Sequence, residues 1–182
     1  NNKKILNKSL RDVIEYSFTS QYPKEVSSTL ALSGGLDSSL ILHLFKSNSF
    51  ALNTLSLDLN SSLEEKELIK STINQYKCEH MFVKPDKNKL NEITNDLVFY
   101  LGQPLRSSQP VYQYLLRERA SEQNSKVFFT GDGSDEIFGG YKQGFYFFLK
   151  QLYEDGKSSE FLNSTIKEYA TFLSMNEEIQ ED

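Results

Sequence analysis

Tryptophan is absent from this sequence of 182 residues, cysteine occurs once, histidine and methionine twice each, and proline four times. The lone cysteine, Cys78, excludes an internal disulfide and points to a reducing, cytoplasmic setting. His43 and His80 have no metal-ligand spacing to each other or to Cys78, so all three read as structural groups. No apolar run is long enough to span a bilayer, and no charged-then-apolar leader opens the chain. Positive charge is not in excess: 20 Lys and Arg against 25 Asp and Glu give a formal net charge of −5. That argues against nucleic acid or an anionic membrane as the main partner, because both require basic patches. A local basic pocket for a nucleotide stays compatible with it. The first residue is Asn1 rather than Met, so the chain reads as processed or excised.

What is present is an ordinary globular composition, 38% hydrophobic and 25% charged, in a length that fits one domain with a helical appendage. Ile5, Leu6, Leu10, Val13, Ile14 and Phe18 recur at helical spacing, and Pro23 ends that helix. Ser28 to Leu32 reads as a strand, Leu36 to Phe45 as a buried helix, and Phe50 to Leu57 as a second strand. Ser61 and Ser62, with Glu65, resemble a capping box ahead of a helix bearing Leu63, Leu68, Ile69 and Ile73. His80 to Val83 is a third strand. Leu90 to Leu101 is a helix closed by Gly102, Pro110 opens another, and Val127 to Thr130 is a fourth strand. This alternation predicts an α/β fold, a parallel sheet with helices on both faces that binds ligands at the carboxyl ends of its strands. After Tyr141 only helical patterns follow. We therefore expect an α/β domain over 1–143 and a helical extension over 144–182.

Two Gly-rich loops fall at expected strand ends. The first reads Ser33-Gly34-Gly35-Leu36-Asp37-Ser38-Ser39. The glycines let backbone approach a ligand, the helix start offers free N–H groups and a positive dipole end, and three serines add hydroxyls. Together they form a pyrophosphate cradle. It is not a Walker A loop, since no Lys follows the glycines, and not a Rossmann fingerprint, since the third Gly is missing. Asp37 fits such a cradle if it holds Mg²⁺ against the phosphates. An ordinary strand-to-helix turn also favours an acid there, but does not account for the serines and glycines together.

The second loop reads Thr130-Gly131-Asp132-Gly133-Ser134-Asp135-Glu136-Ile137-Phe138-Gly139-Gly140-Tyr141. Its crowded carboxylates repel one another unless a cation sits among them, which a Mg²⁺ would supply. Helix capping by Ser134, Asp135 or Glu136 explains one acid, not all of them.

The first loop resembles the PP-loop of the N-type ATP pyrophosphatases. The second resembles the Gly-Glu/Asp-Gly-Ser/Gly-Asp-Glu-x-Phe-Gly-Gly-Tyr signature of the asparagine synthetases, in that family's order, so that the likeness covers the chain from its first helix to about Tyr141. The resemblance implies an adenine nucleotide alpha hydrolase-like fold and an ATP-dependent ligase. Such an enzyme adenylates a carboxylate, aspartate in the first place, and transfers ammonia to it. It further implies that Asp37 and Asp135 bind Mg²⁺ and that Ser33, Gly34, Gly35, Asp37, Ser38 and Ser39 bind pyrophosphate. Leu57 meets the adenine by its backbone, Gly131 lies near the ribose, and Asp132 handles the protons of ammonia. Asp132 stands where many family members carry Glu. The segment from Arg106 through Ser108 to Tyr112 resembles the family's Arg-x-Ser-x-Pro-x-Tyr stretch, which makes Arg106 and Ser108 candidates for the carboxylate substrate, with Glu136 of the second loop a further candidate. Arg106 reads equally well as a solvated loop cation.

The family's N-terminal glutaminase domain, which opens on Cys, has no counterpart here. Neither do its downstream pyrophosphate-binding Lys and Glu-x-Arg-x-Pro-Phe-Leu-Asp segment. This chain is therefore not expected to hydrolyse glutamine itself, and its partners are ATP, an amino acid and ammonia, with a glutaminase domain elsewhere and a homodimer as a compatible assembly. Two other readings stand beside the first. One is a relative that amidates or cyclises a peptide, a β-lactam precursor or a sugar; the other is a nucleotide-binding module without catalysis.

Overall fold

The computed structural model describes residues 9–59 and 63–178. Its elements alternate through most of the chain: α1 (Leu10–Gln21), β1 (Ser28–Ala31), α2 (Leu36–Ser47), β2 (Asn53–Leu57), α3 (Leu63–Tyr76) and β3 (His80–Val83). Then follow α4 (Lys87–Leu101), α5 (Gln109–Glu122), β4 (Val127–Phe129), α6 (Ser134–Phe138), α7 (Lys142–Glu154) and α8 (Ser159–Glu178). The chain divides into two compact units, Asn1–Gly131 and Asp132–Asp182.

The first unit is built on a sheet in the order β3-β2-β1-β4, with every pairing parallel. Parallel neighbours need a crossover, and helices supply each one. The strands are short, and alternate residues serve opposite layers. Leu30, Leu32, Phe82 and Phe129 pack with Ile41, Leu42 and Phe45 of α2, Ile69 and Ile73 of α3, and Phe18 of α1. Ala31, Leu55, Val83 and Phe128 pack with Ile93 and Leu97 of α4 and Val111, Leu115 and Leu116 of α5. Helices thus cover both faces of a parallel α/β sheet, as the alternation predicts.

β1 leads to β2 and then β3 on one side, whereas β4 pairs with the other edge of β1. The loops leaving β1 and β4 therefore start side by side at a topological switch point, where open α/β sheets place their ligands. Both Gly-rich loops leave from these strands.

Several boundaries differ from the sequence expectation. Phe50 lies outside the second strand, which begins at Asn53. The Phe50 N–H donates to Phe45 O at 2.9 Å, and its ring stacks on Tyr22 at 4.0 Å, so its apolarity serves the core from a loop. Pro110 is the second residue of α5, not the first. α1 starts at Leu10 behind a capping box of Ser9 and Asp12. Ile5, Leu6, Ser61 and Ser62 lie outside the described residues. Gly102, at φ +64°, closes α4 in the left-handed conformation.

Cys78 is buried in the layer of α2 and α3. His43 Nδ1 meets Tyr76 Oη at 2.9 Å, tying α2 to α3. Thr54 Oγ1 donates to Glu79 O at 2.9 Å, so in its 2.8 Å contact with His80 Nδ1 the imidazole N–H is the donor. That leaves the His80 Nε2 lone pair buried without a hydrogen-bond partner among the described residues. Burial pushes the His80 pKa down from 6.5 to about 4, which keeps the ring neutral. All three residues are structural in placement.

The second unit is helical. α7 and α8 pair through Phe145, whose ring stacks on Tyr169 at 3.6 Å and lies near Phe148. Among the described residues no strand follows β4, which matches the expected helical tail.

Candidate functional site

The loop after β1 is shaped by its own side chains. Gly34 sits at φ +80°, where any side chain is strained, and a Cβ there would come within 3.2 Å of Ile69 Cγ1. Ser38 is 4% exposed, and its hydroxyl is fully engaged. It accepts from Ser33 N at 3.2 Å, donates to Gly35 O at 3.3 Å, and lies 3.1 Å from Ser33 Oγ. With the Ser38 proton given to Gly35 O, Ser33 is the donor within the serine pair. Ser33 Oγ in turn accepts from Gly35 N at 3.3 Å. The hydroxyls of Ser33 and Ser38 therefore fix the backbone, and Ser39 is left half-buried in the first turn of α2.

That backbone ends in an uncapped helix. Gly35 is the N-cap of α2 and supplies no side-chain bond. Ser39 N donates to Gly35 O at 3.2 Å, the first bond along the helix. The amides of Leu36, Asp37 and Ser38 precede it and are available to an anion, reinforced by the helix dipole. Asp37 stands half-buried among them.

The chain after β4 meets the same turn. A Cβ on Gly131 would lie 3.1 Å from Asp37 Cβ and 3.4 Å from Ser38 N. A side chain at this position would press on the start of α2. The close approach leaves a bare space beside the helix start that a side chain would fill.

Leu57 and Ser108 come together in a pocket of about 280 Å³ at the carboxyl end of β2, with Ser107, Tyr112 and Gln113 also in its wall. Ser108 is the N-cap of α5 and makes no capping bond, so its hydroxyl faces no helix amide. Arg106 is exposed in the loop between α4 and α5 and does not line this pocket. The pocket residue that sequence reasoning passed over is Gln113; its only signal was its place one turn after Ser108 and Gln109.

In the second unit, Asp135 and Glu136 lie in the first turn of α6, behind Gly133 at φ +94°. Asp132, Asp135 and Glu136 are all exposed. Tyr141 Oη donates to Glu136 Oε1 at 3.0 Å. This bond, then the negative charge of Glu136, Asp135 and Asp132, holds the Tyr141 pKa above its usual value, so the phenol stays a donor. Gly139, at φ +80°, ends α6, as its break in the helical pattern predicts.

Among the described residues no group of three or more His, Cys, Asp or Glu could hold a metal ion by itself. Mg²⁺ takes only one or two protein carboxylates and completes its shell with substrate phosphates and water.

The asparagine synthase family matches residues 9–180, and the chain belongs to that family. A probable glutamine-hydrolysing asparagine synthetase of Schizosaccharomyces pombe is 30% identical over 159 residues, 74% of this chain and 28% of that protein. The amidase chry2 of Gibberella zeae is 30% identical over 126 residues, 60% of this chain and 19% of that protein. An NH3-dependent NAD synthetase of Campylobacter jejuni aligns with a TM-score of 0.45 at 19% identity, over 92% of this chain and 81% of that one. The chain spans 28% of the length of the first of these relatives and 19% of the second. No helix among the described residues is long and apolar enough to cross a membrane.

Proposed function

We propose that this chain carries the adenylating part of an ATP-dependent carbon–nitrogen ligase. A carboxylate oxygen attacks the α-phosphorus of ATP, the bond to the β-phosphate oxygen breaks, and pyrophosphate leaves. Ammonia then attacks the acyl carbon, AMP departs, and the nitrogen loses a proton. Aspartate as the carboxylate, with asparagine as product, agrees best with the family.

The observation that carries this reading is the uncapped first turn of α2 lying against the bare Cα of Gly131. Its amides and dipole stabilise negative charge on the departing pyrophosphate. Ser33, Gly34, Gly35, Ser38 and Ser39 hold that backbone in place, Leu57 offers main chain to the adenine, and Gly131 lets the strand end approach. Asp132 takes the proton from the nitrogen. Arg106, Ser108 and Glu136 orient the carboxylate substrate. Asp37 and Asp135 are the acids that would hold Mg²⁺, which when bound offsets the charge of the phosphates. Residues 1–143 form the ATP-using part of this reading and 144–182 its helical extension. A cytoplasmic setting, ammonia from a glutaminase domain and a homodimeric assembly are compatible with this reading.

The direct test is to incubate the chain with ATP, Mg²⁺, ammonia and a panel of carboxylic acids, and to measure AMP. Release stimulated by aspartate supports the asparagine-forming reading. The amidase-named relative favours a second reading, in which another acid stimulates release while aspartate does not. ATP binding with no AMP under any acid contradicts both and leaves a nucleotide-binding module.

A further inference from the structure

The Gly139-Gly140-Tyr141 end of the second loop has no role in the chemistry above, yet its neighbours are the acids that do. The two glycines act for different reasons. Gly139 adopts φ +80°, and a Cβ there would meet nothing within 4 Å, so its need is conformational. Gly140 has no such backbone demand. A Cβ there would sit 2.7 Å from Asp135 Cγ and 3.2 Å from Asp135 Cβ, and would overlap Asp135 Oδ1. The carboxylate of Asp135 therefore rests on the bare Cα of Gly140. The main chain holds the two together, because the N–H groups of Gly139 and Gly140 donate to Asp135 O at 2.9 Å and 3.1 Å. One residue on, the Tyr141 hydroxyl donates to Glu136 Oε1 at 3.0 Å.

We infer that Gly140 and Tyr141 are positioning residues that set the direction of the Asp135 and Glu136 carboxylates. Gly140 does so by leaving space, Tyr141 by a hydrogen bond, and neither is assigned a contact with the nucleotide. A methyl group at position 140 cannot share the space with Asp135, so it must turn that carboxylate away. Loss of the Tyr141 hydroxyl frees Glu136 to rotate, and because its charge adjoins Asp135 in the same helical turn, the negative field around the metal carboxylate changes with it. The inference rests on the reading above, in which Asp135 serves the metal of the bound nucleotide. Groups that orient ligating carboxylates change metal affinity by roughly 10- to 100-fold when removed.

The experiment is calorimetric titration of ATP across a Mg²⁺ series, for wild type, Gly140→Ala, Tyr141→Phe and Asp135→Asn, with AMP in chelator as the metal-free reference. The expected result is a rise of about tenfold or more in the Mg²⁺ concentration that half-saturates ATP binding for Gly140→Ala. Tyr141→Phe should shift it by a few fold, and AMP binding should not change in either. A purely structural role would weaken AMP and ATP together. If Asp135→Asn raises the Mg²⁺ requirement while Gly140→Ala and Tyr141→Phe leave it alone, the positioning role is wrong and the metal reading stands. If Asp135→Asn also leaves it alone, the metal reading falls and the inference falls with it. Thermal melts check folding, and should Gly140→Ala fail to fold, Tyr141→Phe carries the test on its own.

Discussion

The two Gly-rich loops are held in opposite ways. In the loop after β1, one hydroxyl turns inward: Ser38 is buried and bonded to Ser33 N and Gly35 O, which fixes the main chain ahead of α2. In the loop after β4, the acidic side chains are exposed, and the main chain with Gly140 and Tyr141 sets their direction. The first loop offers amides and protects their geometry. The second offers carboxylates and protects their orientation. A phosphate site needs fixed donors, whereas a metal-bearing site needs negative groups aimed correctly. Mutations should therefore separate stability and phosphate binding in the first loop from metal dependence in the second.

Asp37→Ala should have the largest effect on ligand binding. It is the one acid in the first loop, and its removal should weaken Mg²⁺-supported ATP binding by about 100-fold, while AMP in chelator still binds. Calorimetry with both ligands checks this. Gly131→Ala comes next, because its methyl would press on Asp37 Cβ and Ser38 N. Inorganic pyrophosphate should bind about tenfold more weakly, which corresponds to roughly 1.4 kcal/mol. Adenosine should bind as before. An equal loss for adenosine would place Gly131 at the ribose, as the family resemblance implies, and away from the phosphates.

Ser38→Ala sharpens the comparison further. It leaves Ser33 N without its acceptor and should lower folding stability by about 1–3 kcal/mol, read from urea unfolding. Asp135→Asn, in an exposed position, should change stability by no more than about 0.5 kcal/mol and act on the Mg²⁺ requirement instead. Reversed outcomes would erase the distinction between the loops.

The smallest effect lies outside both loops and serves as a control. His80 is neutral in the fold, with its pKa lowered to about 4 by burial. Below about pH 6.5 the unfolded chain binds a proton that the folded chain does not, so stability is complete above that pH and declines as pH falls toward 4. His80→Asn keeps an N–H for Thr54 and should flatten this part of the stability–pH curve. ATP binding at pH 7.5 should be unaffected.

The sheet and its two helical layers were legible because strand residues alternate between layers and helices carry apolar stripes. Ser33 to Ser39 was legible as a strand-to-helix turn because glycine and serine cluster at a strand end. The division of labour within it was not. Which serine turns inward depends on the burial of Ser38 beside β1, and burial is a tertiary property. Phe50 misled for a related reason: an aromatic residue that fills the core from a loop has the composition of a strand. Ser9 and Asp12 form the capping box of α1, a pair that an apolar periodicity does not register. The close contacts of Gly131 and Gly140 were invisible, since sequence records a glycine and not what lies against it. Family resemblance supplied the roles proposed for the acids, and geometry added the contacts of Asp135 with Gly140 and of Glu136 with Tyr141.

The measurement that bears most directly on the central claim is calorimetric binding of inorganic pyrophosphate to wild type and Gly131→Ala in the presence of Mg²⁺. The account predicts that wild type binds pyrophosphate and that the added methyl group weakens it about tenfold without unfolding the chain. A folded wild type that binds no pyrophosphate, or a Gly131→Ala variant that binds it as tightly as wild type, would contradict the claim that the start of α2 and the end of β4 form a phosphate cradle.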